Sequence, residues 1–136
     1  MEQFVTNEEI IQRARQNLAD GPWNYLVGAT ESETTMRRNR LAFDRIAFQP
    51  RVLIDVSSID SSAQILGHEI SIPIIMAPIG SLQVFHPDAA IAVSKAAENM
   101  NTIHVVSSVT EPALEESAES SNNTKFYQLY IHGDWD

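Results

Sequence analysis

The chain has 136 residues, the size of a single domain, and its 43% apolar and 20% charged residues are typical of a globular protein. Its 18 acidic residues outnumber 9 basic ones, and the resulting net charge of −9 argues against a nucleic-acid partner. The absence of cysteine excludes disulfides, thiolate metal sites and cysteine nucleophiles.

Residues 1–45 are predicted to form a helical extension. A first helix begins at Thr6 or Asn7, where a side-chain oxygen can cap the helix, and ends at Asp20–Gly21. A second short helix covers residues 22–28, with proline in its first turn and glycine at its end. A third helix is predicted for residues 31–43.

Residues 46–72 are predicted to be an extended and hairpin segment. Residues 46–58 are apolar and β-branched but are interrupted by Pro50, which predicts an edge strand or an extended stretch. Two short strands are predicted around Gly67, because Ile65, Ile70 and Ile72 follow the alternation of a half-buried strand.

Residues 73–136 repeat a strand-and-helix unit. The predicted strands are "IPIIMAP", "TIHVVSS" and "KFYQLYI", and the helices between them are "HPDAAIAVSKAAENM" and "EPALEESAES". Strands without polar alternation, separated by helices, indicate parallel β/α units. We therefore predict an α/β fold with three parallel strands and two crossover helices.

Three strands do not close a barrel, and residues 125–131 would form an exposed apolar edge. Complete proteins avoid such edges because they promote aggregation. We therefore expect the remainder of a barrel, supplied by the same gene product or by a second chain.

Candidate binding residues follow each predicted strand, where parallel β/α folds bind ligands. They are the segment "APIGS" at 77–81, Ser107 with Ser108, and Gln128 with Tyr130, which lie two residues apart on one predicted strand. Backbone amides, hydroxyls and a primary amide suit a planar polar heterocycle. The alternative is that these residues only close the strand ends and that Tyr130 fills a layer of the barrel.

The four histidines are not spaced as metal ligands, and no carboxylate cluster accompanies them. We interpret them as structural or solvated residues, and we expect no metal. No apolar run approaches the roughly 20 residues of a membrane span, and the N-terminus lacks the features of a signal peptide. The expected location is therefore intracellular.

A set of ordered motifs resembles the FMN-dependent 2-hydroxy-acid oxidases and dehydrogenases, which include glycolate oxidase, lactate oxidase and mandelate dehydrogenase. The motifs are "FDRIAFQPRVLIDVSSID", "SAQILGHEISIPIIMAPIG", "HPDAAIAVSKAAE", "TIHVVSS" and "FYQLY". The resemblance implies a (β/α)8 TIM barrel with FMN at the carboxyl ends of its strands. The chain would be the N-terminal part of one such FMN-binding domain.

The resemblance also implies roles for individual residues. Ile79 and Gly80 match a segment whose backbone lies against the flavin. Ser107 matches a serine that bonds the flavin ring, and Gln128 matches a glutamine that bonds its pyrimidine edge. Tyr130 matches a catalytic tyrosine on the substrate side, which helps to hold the hydroxy acid or its developing charge.

Two positions depart from the family pattern. Asn24 stands where a tyrosine usually contacts the substrate carboxylate, and the following Tyr25 is kept. Because asparagine is shorter than tyrosine, the choice of substrate is open. Val109 stands where an aromatic residue often follows the serine pair, so a wider pocket is expected.

The implied activity is oxidation of a small L-2-hydroxy acid to the 2-oxo acid, with electrons passing to FMN. The family's base histidine, arginines and lysine lie on later strands and are not found in residues 1–136, so this chain alone is expected to be inactive. The resemblance further implies a homotetramer in the cytoplasm or in peroxisomes.

Two other functions are compatible with the sequence. One is an FMN protein like the type 2 isopentenyl diphosphate isomerases, which resemble the family around the first strands. The other is a non-catalytic, truncated paralogue that acts as an interaction module through the open edge at 125–131.

Overall fold

Three helices make up the first of two compact units, Met1–Ser57, in the computed structural model. The structure describes residues 3–112 and 114–133. Helix α1 spans Asn7–Asn17 and begins as predicted, because Thr6 Oγ1 accepts a hydrogen bond from Glu9 N at 3.3 Å. Glu9 Oε2 in turn accepts one from Val5 N at 2.8 Å. This reciprocal arrangement resembles a capping box.

The boundary between the first two helices differs from the prediction. Helix α2 spans Asp20–Val27, so the pair Asp20–Gly21 opens the second helix instead of ending the first. The Asp20 carboxylate lies 2.7 Å from the Arg15 guanidinium, and acidic side chains are favoured at a helix N-terminus. Helix α2 ends at Gly28 as predicted, where Gly28 N donates to Asn24 O at 3.0 Å.

Helix α3 spans Thr34–Asp44 and begins later than predicted. A turn precedes it, in which Glu33 N donates to Thr30 O at 3.0 Å and Glu33 adopts a left-handed conformation with φ 57°. The edge strand considered for residues 46–58 does not form. Leu53 has φ 59° and Asp55 Oδ1 accepts a bond from Ser57 N at 2.9 Å, and both features break an extended ladder.

Side chains in the described part of the first unit are exposed or half-buried, and none is fully buried. Phe48 and Leu53 are completely exposed. The three helices therefore do not form a hydrophobic core among themselves.

The second unit, Ser58–Asp136, begins with the predicted hairpin. Strand β1 (Ala63–Ile65) pairs antiparallel with β2 (His68–Ile70). The two residues between them, Leu66 and Gly67, both have positive φ, at 49° and 83°. Such a pair of left-handed residues is the tight turn that matches the twist of two strands.

Parallel pairing follows, but with shorter strands than predicted. Helix α4 (Ala89–Asn99) leads to β3 (His104–Ser107), and helix α5 (Leu114–Glu119) leads to β4 (Lys125–Gln128). Strands β3 and β4 are parallel, and the last register pair is Ser107 with Gln128.

The first and third predicted parallel strands are shorter than predicted. "IPIIMAP" makes only one parallel bridge, between Met76 and His104, because Pro73 and Pro78 on either side have no N–H to donate. The strand predicted over 125–131 stops at Gln128, where its neighbour β3 also stops. The described residues thus form an α/β fold without a closed barrel.

The core of this unit lies between α4 and the parallel strands. Two small residues of α4, Ala90 and Ala97, are buried. Ile103, which precedes β3, and Val106, which lies within it, are buried as well. A polar pair crosses this core, because Ser94 Oγ lies 2.9 Å from His104 Nδ1 and both residues are buried. Burial, and then the positive charge of Lys125, lower the pKa of His104, so the neutral imidazole is favoured.

None of the helices within residues 3–112 and 114–133 combines the length and the apolar character needed to cross a membrane.

Candidate functional site

The carboxyl ends of β3 and β4 place two of the predicted site residues side by side. Ser107 ends β3, Gln128 ends β4, and the two are register partners in the parallel ladder. Neighbouring positions in a parallel pair lie about 4.8 Å apart. The hydroxyl and the amide are therefore delivered to the same edge by backbone pairing alone.

The segment containing Ile79 and Gly80 reaches the same edge. Met76 is held in the bridge by two hydrogen bonds, from Met76 N to Ile103 O at 2.9 Å and from Val105 N to Met76 O at 3.0 Å. A Cβ atom placed on Gly80 would lie 3.8 Å from Ser107 Oγ, so the backbone of Gly80 adjoins the serine. Three of the predicted cofactor contacts are thus brought together.

A loop after β3 links these groups. Val109 N donates to Ser107 Oγ at 3.3 Å, and Val109 O accepts from Ser81 N at 2.9 Å. The backbone N–H of Val109 is therefore bonded to the end of β3, and its carbonyl oxygen is bonded to the segment that follows Met76. Val109 holds the segment after Met76 against the end of β3.

Two serine hydroxyls at this edge keep bonding capacity. Ser107 is only 3% exposed, and its Oγ accepts a bond from Val109 N, which leaves the hydroxyl proton to be donated. Ser108 Oγ is buried and has no hydrogen-bond partner among the described residues. A depression of about 390 Å³ opens beside them and is also lined by Tyr127, Glu111 and Glu115. Tyr127 precedes Gln128 on β4, so this depression lies on the opposite face of the strand from the Gln128 side chain. An unpaired buried hydroxyl is costly, so its presence at this edge is a reason to expect a bound polar group.

Tyr130 is placed differently from the prediction. It lies two residues beyond the end of β4, so it is not part of the strand that carries Gln128. Its side chain is 48% exposed, and its ring centroid lies 6.0 Å from that of His132. The ladder ends before Tyr130 because β3 offers no partner beyond Ser107.

Asn24 lies on α2 in the first unit with an exposed side chain, and its backbone oxygen accepts the bond that ends the helix. Its assignment to the substrate site rests on the sequence resemblance.

Each histidine has a local structural contact. Thr124 Oγ1 lies 3.2 Å from His68 Nδ1, Asp88 N donates to His86 Nδ1 at 3.1 Å, His104 pairs with Ser94, and His132 packs on Tyr130. Within the described ranges, no three His, Asp or Glu side chains converge in a way that could hold a metal ion. These contacts agree with the structural interpretation of the histidines.

The groups at the edge suit a flavin ring better than a phosphate. Backbone amides, hydroxyls and a primary amide are neutral donors and acceptors of the kind that match the edge of a planar heterocycle. Lys125 begins β4 and so stands at the opposite end of the strand from Gln128. The described residues at this edge therefore fit the ring of FMN, and none of them is a cationic group that could hold its phosphate.

Sequence reasoning did not identify the contact between Gly80 and Val109 or the unpaired hydroxyl of Ser108. The sequence marks Val109 only as a departure from the family pattern. The contact depends on the path of two loops that are distant in sequence, and no local motif encodes it.

The fold defines a class of protein, namely a parallel α/β protein that brings backbone, hydroxyl and amide groups together at the carboxyl ends of its strands. The family model described as FMN-dependent dehydrogenase matches residues 14–136. The chain belongs to this family, whose cofactor is FMN.

Individual relatives agree with that assignment. The chain is 42% identical over 132 residues to a peroxisomal (S)-2-hydroxyacid oxidase of Arabidopsis thaliana, covering 97% of this chain and 36% of the relative. It is 42% identical to glycolate oxidase 1 of Oryza sativa subsp. indica, covering 89% of this chain and 33% of that protein.

Comparison with solved structures agrees with the family assignment. A mandelate oxidase structure superimposes with a TM-score of 0.91 at 27% identity, covering 96% of this chain and 39% of that one. A soluble mutant of the membrane-associated (S)-mandelate dehydrogenase from Pseudomonas putida superimposes with a TM-score of 0.89 at 27% identity, covering 95% and 37%. The chain spans about a third of the length of the curated relatives that it matches.

Proposed function

We propose that this chain supplies one wall of the FMN site in an enzyme that oxidises a small L-2-hydroxy acid to the 2-oxo acid. The observation that carries the proposal is the meeting of Gly80, Ser107 and Gln128 at one edge, in a chain of the FMN-dependent dehydrogenase family. The complete fold would be a (β/α)8 barrel. Below, the complete protein means this chain together with the segments that close that barrel.

The roles of the cofactor contacts follow from their chemistry. The backbone of Ile79 and Gly80 would lie against the flavin, where the absence of a side chain at Gly80 permits a close approach. The Ser107 hydroxyl would donate to the ring. The Gln128 amide, which both donates and accepts, would pair with the pyrimidine edge.

When bound, FMN accepts the electrons that leave the α-carbon of the hydroxy acid. Tyr130 would donate a hydrogen bond to the substrate oxygen at which negative charge develops. Asn24 would bond the substrate carboxylate. The base that takes the substrate proton would come from a segment outside residues 1–136, because no histidine of this chain stands in the family's base-histidine motif.

The substrate class is supported by the relatives, whose names specify an (S)-2-hydroxyacid and glycolate, and by the mandelate enzymes among the solved structures. We propose an intracellular location, in the cytoplasm or in peroxisomes, and a homotetramer as the assembly.

The test is flavin chemistry in the complete protein. We expect the purified protein to bind FMN, and we expect anaerobic addition of glycolate, L-lactate or (S)-mandelate to bleach the visible absorbance of the flavin. FMN binding without bleaching by any hydroxy acid would favour the isomerase-like alternative. Failure to bind FMN would favour the non-catalytic interaction module.

A further inference from the structure

Gly80 and Val109 are in unusually close contact. A Cβ atom built on Gly80 would lie 2.8 Å from Val109 Cγ2, a distance that real Cβ atoms do not tolerate. The next nearest atoms are Val109 O at 3.7 Å and Ser107 Oγ at 3.8 Å, which are ordinary contact distances. The branched side chain of Val109 is therefore the one group that requires glycine at position 80.

The backbone of Val109 has little freedom to move away. Its backbone N–H is bonded to Ser107 Oγ and its carbonyl is bonded to Ser81 N, so both neighbouring segments hold it in place. A β-branched side chain is also stiff at χ1, which restricts relief by rotation. A methyl group at position 80 would therefore push the segment 79–81 away from the end of β3.

We infer that Gly80 and Val109 form a matched pair that sets the distance between the Ile79–Gly80 backbone and the Ser107–Gln128 edge. Val109 acts as a positioning residue for the flavin site, because its side chain fixes the path of the segment on which the flavin rests. This inference rests on the proposed function and adds a determinant of cofactor affinity to it. Exposure of the Val109 side chain, at 55%, leaves room for substitution at that position without disturbing the core.

The pair predicts a specific coupling between two substitutions. Gly80→Ala should weaken FMN binding about ten- to a hundredfold, the range expected for overpacking by a methyl group. Val109→Ala removes the Cγ2 atom, so the double variant Gly80→Ala/Val109→Ala should recover most of that loss. Val109→Thr keeps the branched shape of the side chain. In that background, Gly80→Ala should weaken FMN binding as much as it does when Val109 is present.

The experiment is a double-mutant cycle on the complete protein, read as the FMN dissociation constant by flavin fluorescence and as the visible flavin spectrum. Gly21→Ala is a matched control, because a Cβ at Gly21 meets nothing within 4 Å. Recovery in the Val109→Ala background but not in the Val109→Thr background would establish the pair. Equal losses from Gly80→Ala in all three backgrounds would overturn it.

Two further outcomes are decisive. If Gly80→Ala prevents folding, as judged by far-UV circular dichroism, restoration of the fold by Val109→Ala supports the pair, and continued failure of the double variant overturns it. If the unmodified complete protein binds no FMN, the proposed function fails and this inference fails with it. FMN binding with independent, additive losses overturns the inference alone.

Discussion

At the scale of single residues, Gln128 is the clearest test of the cofactor site. Its position beside Ser107 is set by the parallel register, and its side chain is half-buried. Replacing the amide by an apolar group of similar size removes both a hydrogen-bond donor and an acceptor from the proposed contact with the flavin.

We expect Gln128→Leu to weaken FMN binding by about 1–3 kcal/mol, about 5- to 150-fold, because a buried polar edge of the ligand loses its partner. The measurement is FMN titration of the complete protein. Gln64→Leu, on the exposed middle of β1, is the matched control and should leave affinity unchanged. Equal affinity of the Gln128 and Gln64 variants would contradict the assigned contact.

The burial of His104 leads to a prediction of how the free energy of unfolding depends on pH. The residue is 1% exposed, and its pKa is lowered first by burial and then by Lys125. As the pH falls below the ordinary histidine value of 6.5, the unfolded chain takes up a proton that the folded protein resists. Stability should therefore decrease as the pH falls through and below that value.

The check is the unfolding midpoint of the complete protein between about pH 8 and pH 5, compared with the variants His104→Gln and His86→Gln. His104→Gln should lower stability at pH 8 and flatten the pH dependence, because glutamine does not titrate. His86→Gln, at an exposed position, controls for the substitution itself. An unchanged slope in His104→Gln would show that another group is responsible.

At the scale of secondary-structure elements, the segment after the hairpin is held by hydrogen bonds to β3 and to the residues that flank it. Thr102 Oγ1 donates to Ile74 O, and Met76 makes two backbone bonds to β3 and its flank. This segment carries Ile79 and Gly80 to the site, so its attachment bears on function as well as on stability.

We expect Thr102→Val to cost about 1 kcal/mol of unfolding free energy, because the shape is conserved while the hydrogen bond to Ile74 is lost. Urea unfolding of the complete protein measures the change. Thr35→Val, at an exposed position of α3, provides the control for the swap itself. A loss no greater than that of the control would mean that the hydroxyl bond does not stabilise the segment.

At the scale of the whole molecule, the described residues bury few large apolar side chains. The fully buried hydrophobic residues are Ile70, Ala89, Ala90, Ala97, Ile103 and Val106, and all of them belong to the second unit. Apolar side chains of the first unit, such as Phe48 and Leu53, are exposed.

We expect the isolated 136-residue chain to bind a hydrophobic dye, to form aggregates without a defined size and to bind no FMN. The complete protein should exclude the dye, elute as a single defined oligomer and bind FMN. Dye fluorescence and size-exclusion chromatography of the two samples make the comparison. A monomeric isolated chain that unfolds cooperatively and excludes the dye would support the interaction-module alternative instead.

Much of this architecture could be predicted from the sequence, because it depends on local signals. Capping at Thr6, glycine at Gly28, the turn at Gly67 and the repeated β/α pattern identified α1, α2, the hairpin and the parallel units. Ser107 and Gln128 followed from the rule that parallel folds bind ligands at strand ends.

The remaining details depend on tertiary contacts. The first parallel strand and the end of β4 were predicted too long, because their lengths are set by the neighbouring strand and not by their own β-branched residues. Tyr130 was placed on the wrong element for the same reason. The contact of Gly80 with Val109 joins two loops, and no periodic pattern reports it.

The pairing of Ser107 with Gln128 also bears on which insertions and deletions the chain can accept. The connection between them, from residue 108 to β4, contains a whole helix, and its length can change as long as the last register pair is kept. A single deletion inside β4 is different, since it would move Leu129 into the place of Gln128 opposite Ser107 and exchange the two faces of the strand beyond the deletion. Length variation among related proteins should therefore concentrate between the strands, while the spacing inside each strand stays constant.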